Sequence, residues 1–207
     1  MRNLIFVAGQ KGGTTKSTTS HLICLGAFLR KQPSVYVLTD PNRSLKDAGR
    51  PYAVMDGRDA EGLAQIIKHS EAMKNGWVVV DGGGNRPAFD KAVAEIVDLA
   101  VLPFRPSEED IETVAKDLEA LPGSIALPSA WSTNKHAQAA SQWLIDGLDK
   151  AYPGRVVREP LWFVNSAAEL LGASLENPSG PVRIAARRAF SVITEAFKLH
   201  AQQAESA

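Results

Sequence analysis

Apolar positions along this chain come in two rhythms that alternate. Short runs rich in β-branched residues, Leu4–Ala8, Val35–Thr39, Trp77–Val80 and Leu99–Leu102, read as buried strands. Ile125–Leu127 and Leu161–Val164 read as two more. Between them apolar residues recur at helical spacing, over Ser17–Arg30, Ala60–Met73, Phe89–Val97, Ser107–Leu121, Lys135–Lys150 and Pro181–His200. Ser107 is placed to cap its helix. Trp143, Leu144 and Leu148 are expected to share one side of theirs, and Phe190, Ile193 and Phe197 to pack the last helix on the sheet. Strand and helix alternate with short connections. That predicts an α/β fold of three layers, a mostly parallel twisted sheet with helices on both faces. Loops after the strands then gather at one edge of the sheet, where ligands bind in such folds.

Composition narrows this picture only a little. A chain of 207 residues, 44% hydrophobic, suffices for one domain with a real core. We expect a single domain over 1–207 with no separate N-terminal DNA-reading domain. Lys and Arg number 23, as do Asp and Glu, so any nucleic-acid site must be a local patch. The lone cysteine, Cys24, excludes an internal disulfide and reads as a packing residue among Leu22, Ile23 and Leu25. His21, His69, His136 and His200 lack metal-ligand spacing and read as packing or surface residues. No apolar run approaches the roughly 20 residues that span a bilayer. The expected location is cytoplasmic.

The chemistry concentrates between the first strand and the first helix, in Gln10-Lys11-Gly12-Gly13-Thr14-Thr15-Lys16-Ser17-Thr18. A glycine-rich turn lets backbone N–H groups curl around anionic oxygens. A lysine adds a point charge, and a serine at the helix start can ligate Mg²⁺. The expected phosphate contacts are Gly12, Gly13, Thr14, Thr15, Lys16, Ser17 and Thr18. Gln10 and Thr15 stand where the common phosphate-loop pattern has glycines. If the backbone at Thr15 needs positive φ, a β-branched residue there carries strain of about 1–3 kcal/mol. Asp81 ends a strand ahead of Gly82-Gly83-Gly84 and suits a Mg²⁺-side acid, with Ser17 as the other metal-site residue. Asp40 ends the second strand ahead of Pro41-Asn42.

The string Lys-Gly-Gly-x-x-Lys-Ser-Thr resembles the deviant Walker A loop of the ParA/MinD ATPases, a branch of the P-loop NTPases. Length and loop position are closest to the small ParF-like (ParA type Ib) plasmid partition proteins. The resemblance implies a weak ATP hydrolase with ATP and Mg²⁺ as cofactors. It makes Lys11, Lys16 and Asp40 the catalytic residues. Lys11 would reach the partner's phosphates across a sandwich homodimer formed on ATP binding. Asp40 would position the attacking water. Leu38 stands where the relatives carry a further acid, which leaves one acid to orient water.

The likeness continues in Val97–Ser107, which resembles the family's strand ending in Pro-x-x-Pro-Ser. It implies that Pro103 and Pro106 lie near the adenine. Glu169–Leu175 resembles the segment before the family's last helix. Pro122–Glu159 matches weakly and offers Asn134 as an adenine contact. Arg183, Arg187 and Lys198, spaced four and eleven apart, fall on one stripe of the last helix at about 100° per residue, with Arg188 beside it. The resemblance implies that such residues bind DNA non-specifically.

The implied function is DNA (plasmid) partition on the nucleoid, with a centromere-binding ParB-like or other cargo adaptor stimulating hydrolysis and polymers beyond the dimer left open. A different cargo, such as a conjugation complex or a protein assembly, fits the residues equally. A further alternative, for which Thr15 and Leu38 speak, is a nucleotide-binding scaffold with little turnover. Too few apolar residues end the chain for an amphipathic anchor, so no membrane partner is expected. A small-molecule kinase would need an arginine-rich lid and a substrate pocket, and no segment reads as one.

Overall fold

A computed structural model describes residues 3–13, 15–71, 73 and 75–206, with the backbone alone at 69 and 203–206. Thr14 lies outside the described residues. Six parallel strands form one sheet in the order β3-β2-β4-β1-β5-β6. They are β1 (Asn3–Val7), β2 (Ser34–Leu38), β3 (Ala53–Asp56), β4 (Trp77–Asp81), β5 (Leu99–Phe104) and β6 (Ser124–Pro128). The helices are α1 (Lys16–Leu29), α2 (Ala60–Ser70), α3 (Pro87–Ala94), α4 (Glu108–Ala120), α5 (Lys135–Ala151) and α6 (Gly180–Ser206).

Strand alternation divides the core into two layers. Ile5, Val7, Trp77, Val79, Leu99 and Val101 face α1 and α6. Leu4, Phe6, Val78, Val80, Ala100 and Leu102 face α2 through α5. Cys24 is fully buried, as its neighbours implied. Phe190 and Phe197 set their edges against Trp77 at 5.0 and 5.7 Å, so α6 packs as its apolar face predicts. Ser107 caps α4 by accepting from Asp110 N.

One strand was not expected from the sequence, and three readings change. β3 carries no alternation because it is an exposed edge strand, only Val54 being partly covered. Leu161–Val164 is not a strand. It touches the stretch after β6 through the isolated Trp131–Trp162 bridge, and a short 3-10 helix, Asn165–Leu171, follows at once. Together with Val156 beside Ala126, it covers the β6 edge. On α5 the buried positions are Ser141, Ile145 and Leu148, while Trp143 is 74% exposed on another side. β5 runs on to Phe104 and takes Pro103 into the strand, paired with Leu127. It tolerates a proline there because β1 pairs with β5 only as far as Val101.

Candidate nucleotide site

The loop after β1 enters α1 at the C-terminal edge of the sheet. Thr15 is left-handed, at φ 72° and ψ 12°, and its hydroxyl donates to Ser129 Oγ at 2.7 Å. The positive φ expected for a glycine is therefore imposed on a threonine. The end of β6 is tied to the loop by that bond. Lys16 is buried and its Nζ donates to the Lys11 carbonyl at 2.8 Å, which folds the loop around the ammonium. Burial lowers the Lys16 pKa, and the charges of Asp81, Asp90 and Asp117 oppose that fall. Gly12 and Gly13 form the exposed crest between the two lysines, and Thr18 sits half-buried one turn into α1.

Behind the loop stands a buried polar support that the sequence did not single out. Gln10 Nε2 donates to Asp90 Oδ2 at 2.6 Å, and Gln10 N donates to Asp117 Oδ2 at 3.1 Å. Gln10 thus uses the position of a common glycine to clamp the loop onto α3 and α4. The second oxygen of Asp90 has no hydrogen-bond partner among the described residues. Burial lifts the Asp90 carboxyl to about 6, helped by Asp117 and opposed by Lys16. The only sequence trace of this support was a glutamine where glycine is usual.

Ser17 and Asp81 do meet. Asp81, 1% exposed, accepts from Tyr36 Oη at 2.6 Å and from Ser20 Oγ at 3.3 Å. Burial lifts its pKa, while hydrogen bonds from Ser17, Tyr36 and Ser20 and the charge of Arg43 pull it back. A hydroxyl and a carboxylate in one dry corner are hard oxygen donors that fit Mg²⁺, which shields phosphate charge when bound. Arg43 donates to Ser17 Oγ, so a guanidinium lies against the hydroxyl that a metal ion would use. Among the described residues no group of three or more His, Cys, Asp or Glu is arranged to hold a metal by itself.

Asp40 is half-buried beside this corner. It accepts from Asn42 N at 2.9 Å and faces Arg43 Nε at 3.4 Å. Arg86, from the loop after β4, donates to Thr39 O at 2.6 Å and ties the two strand ends together. Neither arginine stood out in the sequence, because each belongs to a turn with no periodicity.

Lys11 lies on the outer face of the loop, with its side chain 26% exposed. It pairs with Asp110 at 2.5 Å and Glu109 at 2.9 Å, at the start of α4. Those hydrogen bonds raise its pKa.

The remaining expected residues are scattered. Pro103 is buried in β5 and Pro106 half-buried in the turn before α4. Asn134 caps α5, its Oδ1 accepting from His136 N at 2.9 Å and Ala137 N at 3.4 Å. Arg183, Arg187 and Lys198 are exposed on α6. Arg188 is held down, paired with Glu159 at 3.0 Å and set over Trp162.

A glycine-rich loop between a central parallel strand and a helix, with a buried lysine inside it and an acid at the next strand's end, is the arrangement of a P-loop α/β fold. Within that class, the fold is that of the ParA/MinD ATPases. The chain is similar to McdA of Cyanothece in complex with ATP, at 15% identity and a TM-score of 0.65 over 95% of this chain and 96% of that one. It is similar to cobyrinic acid a,c-diamide synthase of Mycobacterium smegmatis with ADP and magnesium, at 14% identity and a TM-score of 0.67, with 96% of each chain covered. It is also similar to pNOB8 ParA bound to nonspecific DNA, at 13% identity and a TM-score of 0.58 over 100% and 99% of the two chains. No protein-family model and no curated protein sequence matches this chain. No helix among the described residues is long and apolar enough to cross a membrane.

Proposed function

We propose that this chain is a ParA-like ATPase. It binds ATP with Mg²⁺, pairs into a homodimer across its phosphate loops and holds DNA non-specifically. A ParB-like or other cargo adaptor then stimulates hydrolysis and resets it. Plasmid partition in the cytoplasm, on the nucleoid, is the favoured task, and a different cargo would use the same cycle. Lys16 and the Gly12–Thr18 backbone hold the phosphates, Ser17 and Asp81 form the metal side, and Asp40 orients water. Pro103, Pro106 and Asn134 belong to the base side, and Arg183 and Arg187 with Lys198 to the DNA face. Arg188, already neutralised by Glu159, contributes less there.

The observation that supports this reading most is the pair of lysines on one loop. Lys16 is buried beneath it, and Lys11 stands on its outer face against Glu109 and Asp110. A lysine placed outward can reach a second molecule's phosphates once it leaves the acids, and charge stabilisation of that kind drives phosphoryl transfer. Phosphate contacts made only in the dimer then favour the dimer, and hydrolysis removes them.

Light-scattering mass, measured without nucleotide, with ADP and with ATP plus Mg²⁺, tests the proposal. Doubling with ATP alone, lost in Lys11→Ala, is expected, as is loss of nucleotide binding in Lys16→Ala. An unchanged mass with nucleotide bound would reject the sandwich dimer. It would favour a second reading, a nucleotide-binding scaffold with little turnover, for which the engagement of Asp40 by Arg43 is the supporting observation.

A further inference from the structure

On the β2 side of the phosphate loop lies a cavity of about 300 Å³. His21 and Tyr36 form its floor, stacked with centroids 4.0 Å apart, and Leu171 closes one wall. Arg43, Lys46 and Arg50 form its rim, all from the segment between β2 and β3.

The partners of these cations are uneven. Arg43 faces Asp40. Lys46 donates to the Leu171 carbonyl at 2.7 Å. Arg50 donates to the carbonyls of Lys46 and Gly172, at 2.6 and 3.0 Å, and to Tyr52 Oη at 3.2 Å. Neutral oxygens fix where Lys46 and Arg50 sit without cancelling their charge. The effect reaches His21, whose pKa is pushed down to about 3, first by burial and then by Arg50, Arg43 and Lys46. The rim thus sets two cations held by neutral oxygens, Lys46 and Arg50, and a third shared with Asp40, over an aromatic floor.

We propose that this cavity binds a small organic anion. Its carboxylate or phosphate head meets Arg43, Lys46 and Arg50, and its apolar body lies over the His21–Tyr36 floor. The volume is at the lower end of small-molecule pockets, and recognition by a few convergent polar groups over an apolar base is their usual design. A duplex backbone would need a broad basic surface, and here the charges converge on a hollow floored by two buried rings.

Two bonds join the cavity to the nucleotide site. Arg43 donates to Ser17 Oγ, and Tyr36 donates to Asp81. An anion that draws Arg43 toward the rim releases the Ser17 hydroxyl. Occupancy of the cavity and nucleotide binding with Mg²⁺ then strengthen each other by one shared factor. This coupling rests on the function proposed above, and the binding itself does not.

The test is calorimetric titration of the full chain with phenyl phosphate, benzoate and inorganic phosphate, with and without saturating ADP and Mg²⁺. We expect an aromatic anion to bind more tightly than inorganic phosphate and to persist with ADP present. The double variant Lys46→Gln, Arg50→Gln is expected to weaken it about tenfold. Because Arg50 also anchors Gly172, Lys46→Gln alone is the control for folding, with a loss of about threefold and unchanged ADP affinity.

No binding of any probe at about 10 mM overturns the proposal. So does equal binding by the variants, or displacement by ADP, which would make the phosphate loop the site. Variants that lose only duplex DNA would make the rim a backbone contact instead. A chain that binds probe but no ADP keeps this cavity and removes the ATPase reading, and the converse result does the opposite.

Discussion

Helix α1 joins two regions built on opposite terms. At its C-terminal half everything fits. Gly26 lets α6 come so close that an added Cβ would stand 2.2 Å from Ala186 O and 2.5 Å from Phe190 Cβ. Trp77 lies edge-on to both phenylalanines, and its indole donates to Gln32 Oε1 at 2.5 Å. At its N-terminal end almost nothing is at rest. Thr15 is left-handed, an ammonium is buried at Lys16, and Asp90 keeps a buried oxygen without a hydrogen-bond partner among the described residues. Costs of this kind gather where a ligand is to be held, because the surrounding packing over-determines them. The rear of α1 stabilises the fold, and the front carries the strained loop.

The rear should be intolerant of any added atom. Gly26→Ala must move the backbone at Ala186, since the clashing carbonyl cannot rotate away. We expect a loss of about 3 kcal/mol in urea unfolding, the upper range for overpacking. A loss below about 1 kcal/mol would mean that α6 is not anchored through this contact.

How much of this was legible in the residues also divides along α1. The apolar strands and the Lys-Gly-Gly-x-x-Lys-Ser-Thr loop are local signals, and both ends of the site follow from them. Ser17 and Asp81 could be paired in advance because parallel strands bring their C-terminal ends together. Thr15 could be suspected of strain from its place in the loop alone. Three features could not be read: the Gln10 clamp to Asp90 and Asp117, the Arg43 contact with Ser17, and the basic rim over His21 and Tyr36. Each joins positions far apart in the chain through side chains in turns, where no periodicity marks them. β3 and the 161–164 stretch failed for a related reason. Their structure is set by which edge they cover, and composition does not record that.

At the front, removal of a cost should show as a gain. Asp90 titrates at about 4 in an unfolded chain and at about 6 in the folded one. The folded state holds the proton more tightly, so the benefit is full below about pH 4 and is lost as pH rises through the folded value. Between about pH 4 and pH 7 the wild type should lose about 2 kcal/mol relative to Asp90→Asn. Urea midpoints measured across that window check the expectation. Parallel pH profiles would mean that Asp90 is not strained by its burial.

The smallest effect tests the strain at Thr15 itself. Replacing Thr15 with glycine should relieve about 1–2 kcal/mol of left-handed strain. The same change forfeits the bond to Ser129 Oγ, worth about 1 kcal/mol, and loosens the unfolded chain by roughly half that or more. The terms nearly offset, so Thr15→Gly alone should lie within about 1 kcal/mol of wild type. Ser129→Ala removes the hydrogen bond beforehand. In that background Thr15→Gly should be more favourable by about 1 kcal/mol than in the wild type, because only strain and chain entropy remain to change. Unfolding free energies around this double-mutant cycle give the answer directly. Destabilisation by Thr15→Gly in the Ser129→Ala background, where no hydrogen bond is left to lose, would show that the loop carries a left-handed threonine without cost, and the contrast between the two ends of α1 would then rest on Lys16 and Asp90 alone.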